Sequence, residues 1–265
     1  MPRRAFMLIA DIAGYTRFMK VHRVNLSHAQ YIVAQLLEAV IDAASPKLRL
    51  AKLEGDAGFF FAEVPPDESL ASHLDRVRLI ADAFRRRKTE LEIDRLCNCD
   101  GCVQASQLRI KFIAHEGEVA FQKIKRHSEL AGVDVILLHR LLKNDVPLPE
   151  YLLMSEPVTS RASEAVRDKC TAIEHDLEGF GPTPGFYVDL EALAPAADAP
   201  YAPSFWRKLV GWVAMTWRSL PYFLGLRTPC EGFTNLGAIG EGKSLPPYAG
   251  VVSSAPPPAA RKRED

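Results

Sequence analysis

Residues 5–16 read Ala5-Phe6-Met7-Leu8-Ile9-Ala10-Asp11-Ile12-Ala13-Gly14-Tyr15-Thr16. An unbroken apolar run of this length, closed by a glycine, predicts a strand buried on both faces rather than one face of a helix. The run carries Asp11 near its end. A carboxylate there is costly unless it is paired or bound to a cation. The next two strands, Leu48–Glu54 and Ala57–Val64, are joined at Gly55-Asp56, a hairpin signature that puts a second carboxylate at a turn. A hairpin beside the first strand brings Asp11 and Asp56 together. Two carboxylates with neighbouring backbone carbonyls suit Mg²⁺ or Mn²⁺. Two turn aspartates facing solvent are the alternative.

Working outward, Ala29, Ile32, Val33, Leu36, Leu37, Val40 and Ile41 recur at helical spacing, with Ser27 as N-cap and Pro46 as the stop. Ser69 to about Leu96 reads as a charged amphipathic helix. Leu108–His115 reads as a core strand and Glu118–Ile124 as a further strand paired with it. Gly132–Lys143 reads as a helix, and Tyr151–Met154 and Gly185–Leu190 as late strands. The order β-α-β-β-α-β-β-α-β-β predicts an α+β fold with a mostly antiparallel sheet, compatible with a ferredoxin-like core carrying additions.

The 265 residues carry 33 Lys+Arg against 33 Asp+Glu, with 48% hydrophobic and 25% charged residues, an ordinary globular balance. Disorder of the whole chain is excluded, and so is a generally basic nucleic-acid binder. The first residues, Met1-Pro2-Arg3-Arg4, lead into the strand rather than into a cleavable leader, and a cytoplasmic protein is expected. Residues 1–190 are read as one domain. Residues 191–250 form a Pro/Ala linker and an extension holding all three tryptophans, and residues 251–265 a disordered tail.

The motifs together resemble those of class III nucleotidyl cyclases. Phe6–Phe18 is similar to their first-strand motif, and Lys52-x-x-Gly55-Asp56-Ala57 to their second metal motif. His115-x-Gly117-Glu118-Val119, followed by Glu129-x-x-Gly132 and a helix reaching Arg140-Leu141, is similar to their nucleotide-binding half. The resemblance spans about residues 5–190, and is narrower still to an uncharacterised bacterial branch known only as a domain of unknown function. It implies two Mg²⁺ or Mn²⁺ ions held by Asp11, Asp56 and the backbone carbonyl of Ile12. It implies adenine recognition by Lys52 and Glu129, hence ATP rather than GTP, and a transition-state cation at Arg140. It further implies a head-to-tail homodimer in which each site draws residues from both chains. The product would be 3′,5′-cyclic AMP and pyrophosphate; a regulatory nucleotide-binding module without efficient turnover is the alternative. Two positions depart from the pattern. Ile136 stands where an asparagine orients the ribose, and no lysine lies around Glu178-Gly179-Phe180-Gly181, where a phosphate-gripping lysine belongs.

Cys97-x-Cys99-x-x-Cys102 concentrates three thiols. They suit a structural Zn²⁺ with a fourth ligand from Cys170, His175 or Asp100, and reduced thiols or a redox pair fit the same spacing. His115, inside a core strand, reads as a packed, hydrogen-bonded histidine. In the extension, Trp206, Leu209, Val210, Val213, Ala214 and Trp217 share one helical face, with Arg207, Lys208, Gly211 and Arg218 on the other. The run is too interrupted to span a membrane. The 204–218 helix is expected to pack on the domain or at a dimer interface, with peripheral contact to an anionic membrane as the alternative.

Overall fold

A computed structural model describes residues 2–21, 26–94, 104–125, 127–193 and 205–226. The chain divides into two compact units, Met1–Glu231 and Gly232–Asp265, and every described residue lies in the first. Cys97, Cys99 and Cys102, the 251–265 tail and most of the 191–203 linker lie outside the described residues.

The elements run β1 (Arg3–Ala13), α1 (Tyr15–Val21), α2 (Leu26–Ala44), β2 (Arg49–Glu54), β3 (Ala57–Glu63), α3 (Ala71–Ile93), β4 (Arg109–Ile124), β5 (His127–Ala131) and α4 (Val133–Leu141). They continue with β6 (Tyr151–Ser155), α5 (Glu156–Ser160), α6 (Glu164–Arg167), β7 (Thr171–Leu177), β8 (Gly181–Asp189), α7 (Leu190–Leu193) and α8 (Phe205–Phe223). The sheet has the order β2-β3-β1-β4-β6-β8-β7, with β5 pairing β4 off that path. Its first four strands, β2-β3-β1-β4, have the split βαβ order of a ferredoxin-like core. Every neighbour pair is antiparallel except β4 and β6, which run parallel.

Strand β1 lies at the centre, and its alternation divides the core in two. Phe6, Leu8, Ala10 and Ile12 face one side, where Leu36, Val40, Val77, Ile80 and Phe84 of α2 and α3 cover them. Ala5, Met7 and Ile9 face the other, with Phe59, Phe61, Ile113 and Leu138. Each large side chain buried here contributes about 1.5–3 kcal/mol of transfer free energy, which explains why the apolar run of β1 organises the sheet. Helix α2 ends at Ala44, two residues before Pro46, as the proline requires.

Glu116 of β4 is buried, yet two guanidinium groups compensate it. Arg4 Nη2 lies 2.9 Å from its Oε1, and Arg161 also pairs with that oxygen. Arg161 in turn donates to the Pro65 carbonyl at 2.9 Å. This ion cluster ties β1, β4, the loop after β3 and the end of α5.

The structure corrects one expectation. Leu108–His115 and Glu118–Ile124 are one continuous strand, β4, and the partner strand is β5, where Ala120 opposes Ala131. Gly117, within this strand, permits a close approach, because a Cβ there would collide with the Asp134 side chain. The short helices α5 and α6 and the edge strand β7 were not anticipated at all.

Candidate functional site: a carboxylate pair at the end of the central strand

Asp11 and Asp56 meet where the expectation put them. In the β1–β3 ladder Asp11 is the register partner of Ala57, the residue after Asp56. The Asp56 carbonyl accepts the Ile12 N–H at 3.2 Å, which docks the hairpin turn onto β1. Gly55 carries that turn at φ 72°, a left-handed conformation that favours glycine. The two carboxyl groups are within hydrogen-bonding reach of each other. Burial, and then the neighbouring Asp11 charge, push the Asp56 carboxyl up to about 6.

A third residue completes the cluster. Lys111 of β4 is the register partner of Asp11 on the other side, and its Nζ lies 3.0 Å from Asp11 Oδ2. Burial pulls the Lys111 ammonium down, but Asp11, Tyr151 and Asp56 outweigh it, so its affinity for the proton is raised overall. Sequence reading overlooked Lys111. Its one available signal was a lysine between Ile110 and Phe112, in a strand apolar on both sides. Tyr15, opening α1, is close enough that burial and then the Asp56 charge raise its phenol.

The expected base-reading residues lie on neighbouring strands. Lys52 of β2 opposes Phe59 and has its Nζ 3.7 Å from Glu54 Oε1. Glu129 of β5 opposes Gln122, and β5 runs beside β2. Glu54 Oε2 also lies 3.1 Å from His139 Nε2, while His139 packs edge-on against Phe59. Helix α4 thus clamps the same hairpin that carries Asp56. Arg140 follows His139 on α4, and it is ion-paired with Glu178 in the β7–β8 turn rather than joined to the Asp11–Asp56 cluster. Ile136 is 53% exposed on the same helix.

Helix α4 is seated by a buried relay. His115 Nδ1 lies 2.7 Å from Ser155 Oγ and its Nε2 3.2 Å from Asp134 Oδ1. The other Asp134 oxygen accepts the Glu118 N–H at 2.6 Å. Burial lowers the His115 imidazole despite Asp134, in keeping with a packed, hydrogen-bonded histidine. Among the described residues no group of three or more His, Cys, Asp or Glu side chains could hold a metal ion. Of the residues named as a fourth zinc ligand, Cys170 donates to the Val166 carbonyl at 3.2 Å, and His175 is buried in β7 with Nε2 unpartnered.

Residues 33–151 match the family described as "Protein of unknown function (DUF2652)". The chain is also 48% identical over 207 residues to the uncharacterized protein Rv2561/Rv2562 of Mycobacterium tuberculosis, covering 77% of this chain and 95% of that protein. The chain belongs to this family. Its fold is that of class III nucleotidyl cyclases. The adenylyl cyclase CyaB from P. aeruginosa superposes with a TM-score of 0.54 at 14% identity, over 76% of this chain and 98% of that one. The guanylyl cyclase Cya2 superposes equally well, at 0.54 and 14%, over 77% and 98%. A class III adenylyl cyclase-like ATP-binding protein from Pseudomonas aeruginosa gives 0.51 at 15%, over 63% of this chain and 36% of that one. At these identities the likeness to the solved structures speaks for the fold alone.

Proposed function

We propose that this DUF2652 protein binds ATP at the Asp11–Asp56 pair together with divalent metal ions and converts it slowly to 3′,5′-cyclic AMP and pyrophosphate. The observation that carries the reading is the carboxylate pair itself. Two carboxyl groups forced together, one of them raised to about 6, form a site whose repulsion a hard divalent cation would relieve. The donors fit Mg²⁺ or Mn²⁺: two carboxylates, with the Ile12 carbonyl as a third oxygen.

When bound, such ions would supply a more acidic ribose 3′-hydroxyl and neutralisation of the triphosphate. The protein's own residues divide the remaining work. Asp11 and Asp56 hold the cations at the end of β1. Lys111, already facing Asp11, would offer its ammonium to the phosphates. Lys52 would donate to an adenine ring nitrogen, and Glu129 would accept from the 6-amino group, a pairing that favours ATP over GTP. Arg140 would leave Glu178 to meet the charge on the transferring phosphorus. The 3′-oxygen bonds to the α-phosphorus, the α–β bridging oxygen departs with its electron pair on pyrophosphate, and the hydroxyl proton passes to water. Ile136 offers the ribose no hydrogen bond, and losing one polar transition-state contact costs about 10²–10³ in rate.

We place Arg140, Lys52 and Glu129 in the partner's half of each site, so the active species is a head-to-tail homodimer. Val133 and Ile136 of α4 are 66% and 53% exposed, apolar surface available to such a dimer.

A second reading is favoured by the Arg140–Glu178 pair and by Ile136: a module that binds nucleotide without turning it over. Mass spectrometry of the products from ATP or GTP with Mn²⁺, beside calorimetric binding of both, separates the two. Slow cyclic AMP formation supports the first. Binding without product supports the second. Neither binding nor product would refute both.

A further inference from the structure

Helix α8 turns the wrong side to water. It rests on α2, where Gly211 comes against Tyr31 Oη. Trp206, Val210, Val213, Trp217, Leu220 and Leu224 recur every three or four residues, the spacing of one helical stripe. All six are exposed, Trp206 by 72% and Trp217 by 75%. In a helix that finishes a globular core this stripe would be the buried one. The packing expected from the sequence is therefore met only by the small-residue side, and among the described residues nothing covers the aromatic side.

Charge identifies the cover. No Asp or Glu occurs between Pro200 and Cys230, whereas Arg207, Lys208, Arg218 and Arg227 all fall there. Two copies of this segment carry the same net positive charge and no acidic residue to offset it, which disfavours self-association through α8. An anionic surface is the complement. Tryptophan rings prefer the headgroup layer, where an apolar body and a polar N–H are both satisfied. No described helix is long and apolar enough to cross a membrane.

We infer that α8 lies in the headgroup layer of an anionic phospholipid membrane, with the Trp206–Trp217 stripe inward, and holds the folded domain at that surface. The inference does not depend on the cyclase reading. All three tryptophans of the chain lie on α8, so intrinsic tryptophan emission reports on this helix alone.

The test uses the full chain with phosphatidylcholine vesicles, with and without a minority of phosphatidylglycerol. Flotation and a blue-shifted tryptophan emission are expected with the anionic vesicles, and both should weaken as salt rises. Trp206→Ser with Trp217→Ser should abolish flotation. Arg207→Glu with Lys208→Glu should lower the apparent affinity by roughly tenfold or more. All four positions belong to α8 rather than to the core, and unchanged far-ultraviolet circular dichroism would verify that the fold persists. Absent flotation with unmoved emission overturns the inference, and so does flotation that survives both double variants. An emission already blue-shifted without vesicles, relaxing as a dimer dissociates on dilution, also overturns it and assigns the stripe to a second copy.

Discussion

Lys111 Nζ stands 3.0 Å from Asp11 Oδ2, across a ladder in which the two residues are register partners, while Asp56 crowds Asp11 from the β2–β3 turn. One ammonium is thus shared by two carboxyl groups at the end of a buried strand.

Lys111→Gln removes that ammonium and leaves the carboxylates facing each other. The expected cost is about 1–3 kcal/mol at pH 7.5, above the raised Asp56 pKa of about 6. It should shrink by pH 5, where Asp56, with its pKa raised to about 6, is mostly protonated. Urea unfolding at the two pH values measures the difference. An equal loss at both would mean that Lys111 acts through packing alone.

Asp56 has a folded-state pKa raised from 3.8 to about 6. The folded protein therefore holds this proton more tightly than the unfolded chain does. The associated stability is fully present below about pH 4 and is lost as pH rises through about 6. In metal-free protein Asp56→Asn should flatten that loss and stabilise the fold at pH 7 by about 2 kcal/mol or less. Thermal melts across pH 4–8 check it. Under the proposed function, Mn²⁺ should raise the wild-type melting temperature and leave the Asn variant nearly unmoved.

Glu178 pairs with Arg140 from an exposed position, 81% accessible at the side chain. Glu178→Ala should free the arginine with little change in stability, and the rate of cyclic AMP formation should rise. Ile136→Asn should raise it further, since a tenfold gain needs only about 1.4 kcal/mol, within reach of one hydrogen bond. Arg140→Ala should abolish product. Turnover insensitive to all three changes would place the chemistry elsewhere.

His73 is buried against Phe6, their ring centroids 5.2 Å apart, with Nδ1 unpartnered. Burial, and then the Lys47 charge, lower its pKa to about 4. A depressed histidine leaves the unfolded chain binding the proton first, so stability falls as pH drops from about 6.5 toward 4. His73→Phe should remove that acid sensitivity and gain about 1–3 kcal/mol near pH 4.5, read from denaturant midpoints. A variant as acid-sensitive as wild type would assign the effect to another group.

How legible each part was follows from how local its signal is. The apolar run of β1 and the Gly55-Asp56 turn are complete statements within a few residues, so the sheet centre and the carboxylate pair could be read directly. Lys111 could not, because a single lysine in a strand looks like solvent-facing alternation until the register sets it opposite Asp11. The close approach at Gly117 was not legible, because the residue it meets, Asp134, lies seventeen positions later. Strand β7 carries Thr171, Glu174 and Asp176 on an exposed edge, which masks its pattern. Helices α5 and α6 are too short to show any periodicity. The ion pairs of Arg140 and Arg161 join segments far apart in the chain, and no spacing rule reaches them.

The absent side chain at Gly117 has a genetic corollary. Asp134 occupies the volume where any other residue would put its first carbon, and that carboxylate also latches the start of α4 to β4 and to His115. A single methyl added by Gly117→Ala would wedge the helix off the sheet while leaving Asp11, Asp56, Lys111 and Arg140 unaltered in identity. Such an allele separates the presence of the polar inventory from its alignment. It makes position 117 one through which members of this lineage would lose the proposed activity silently, every signature residue still in place.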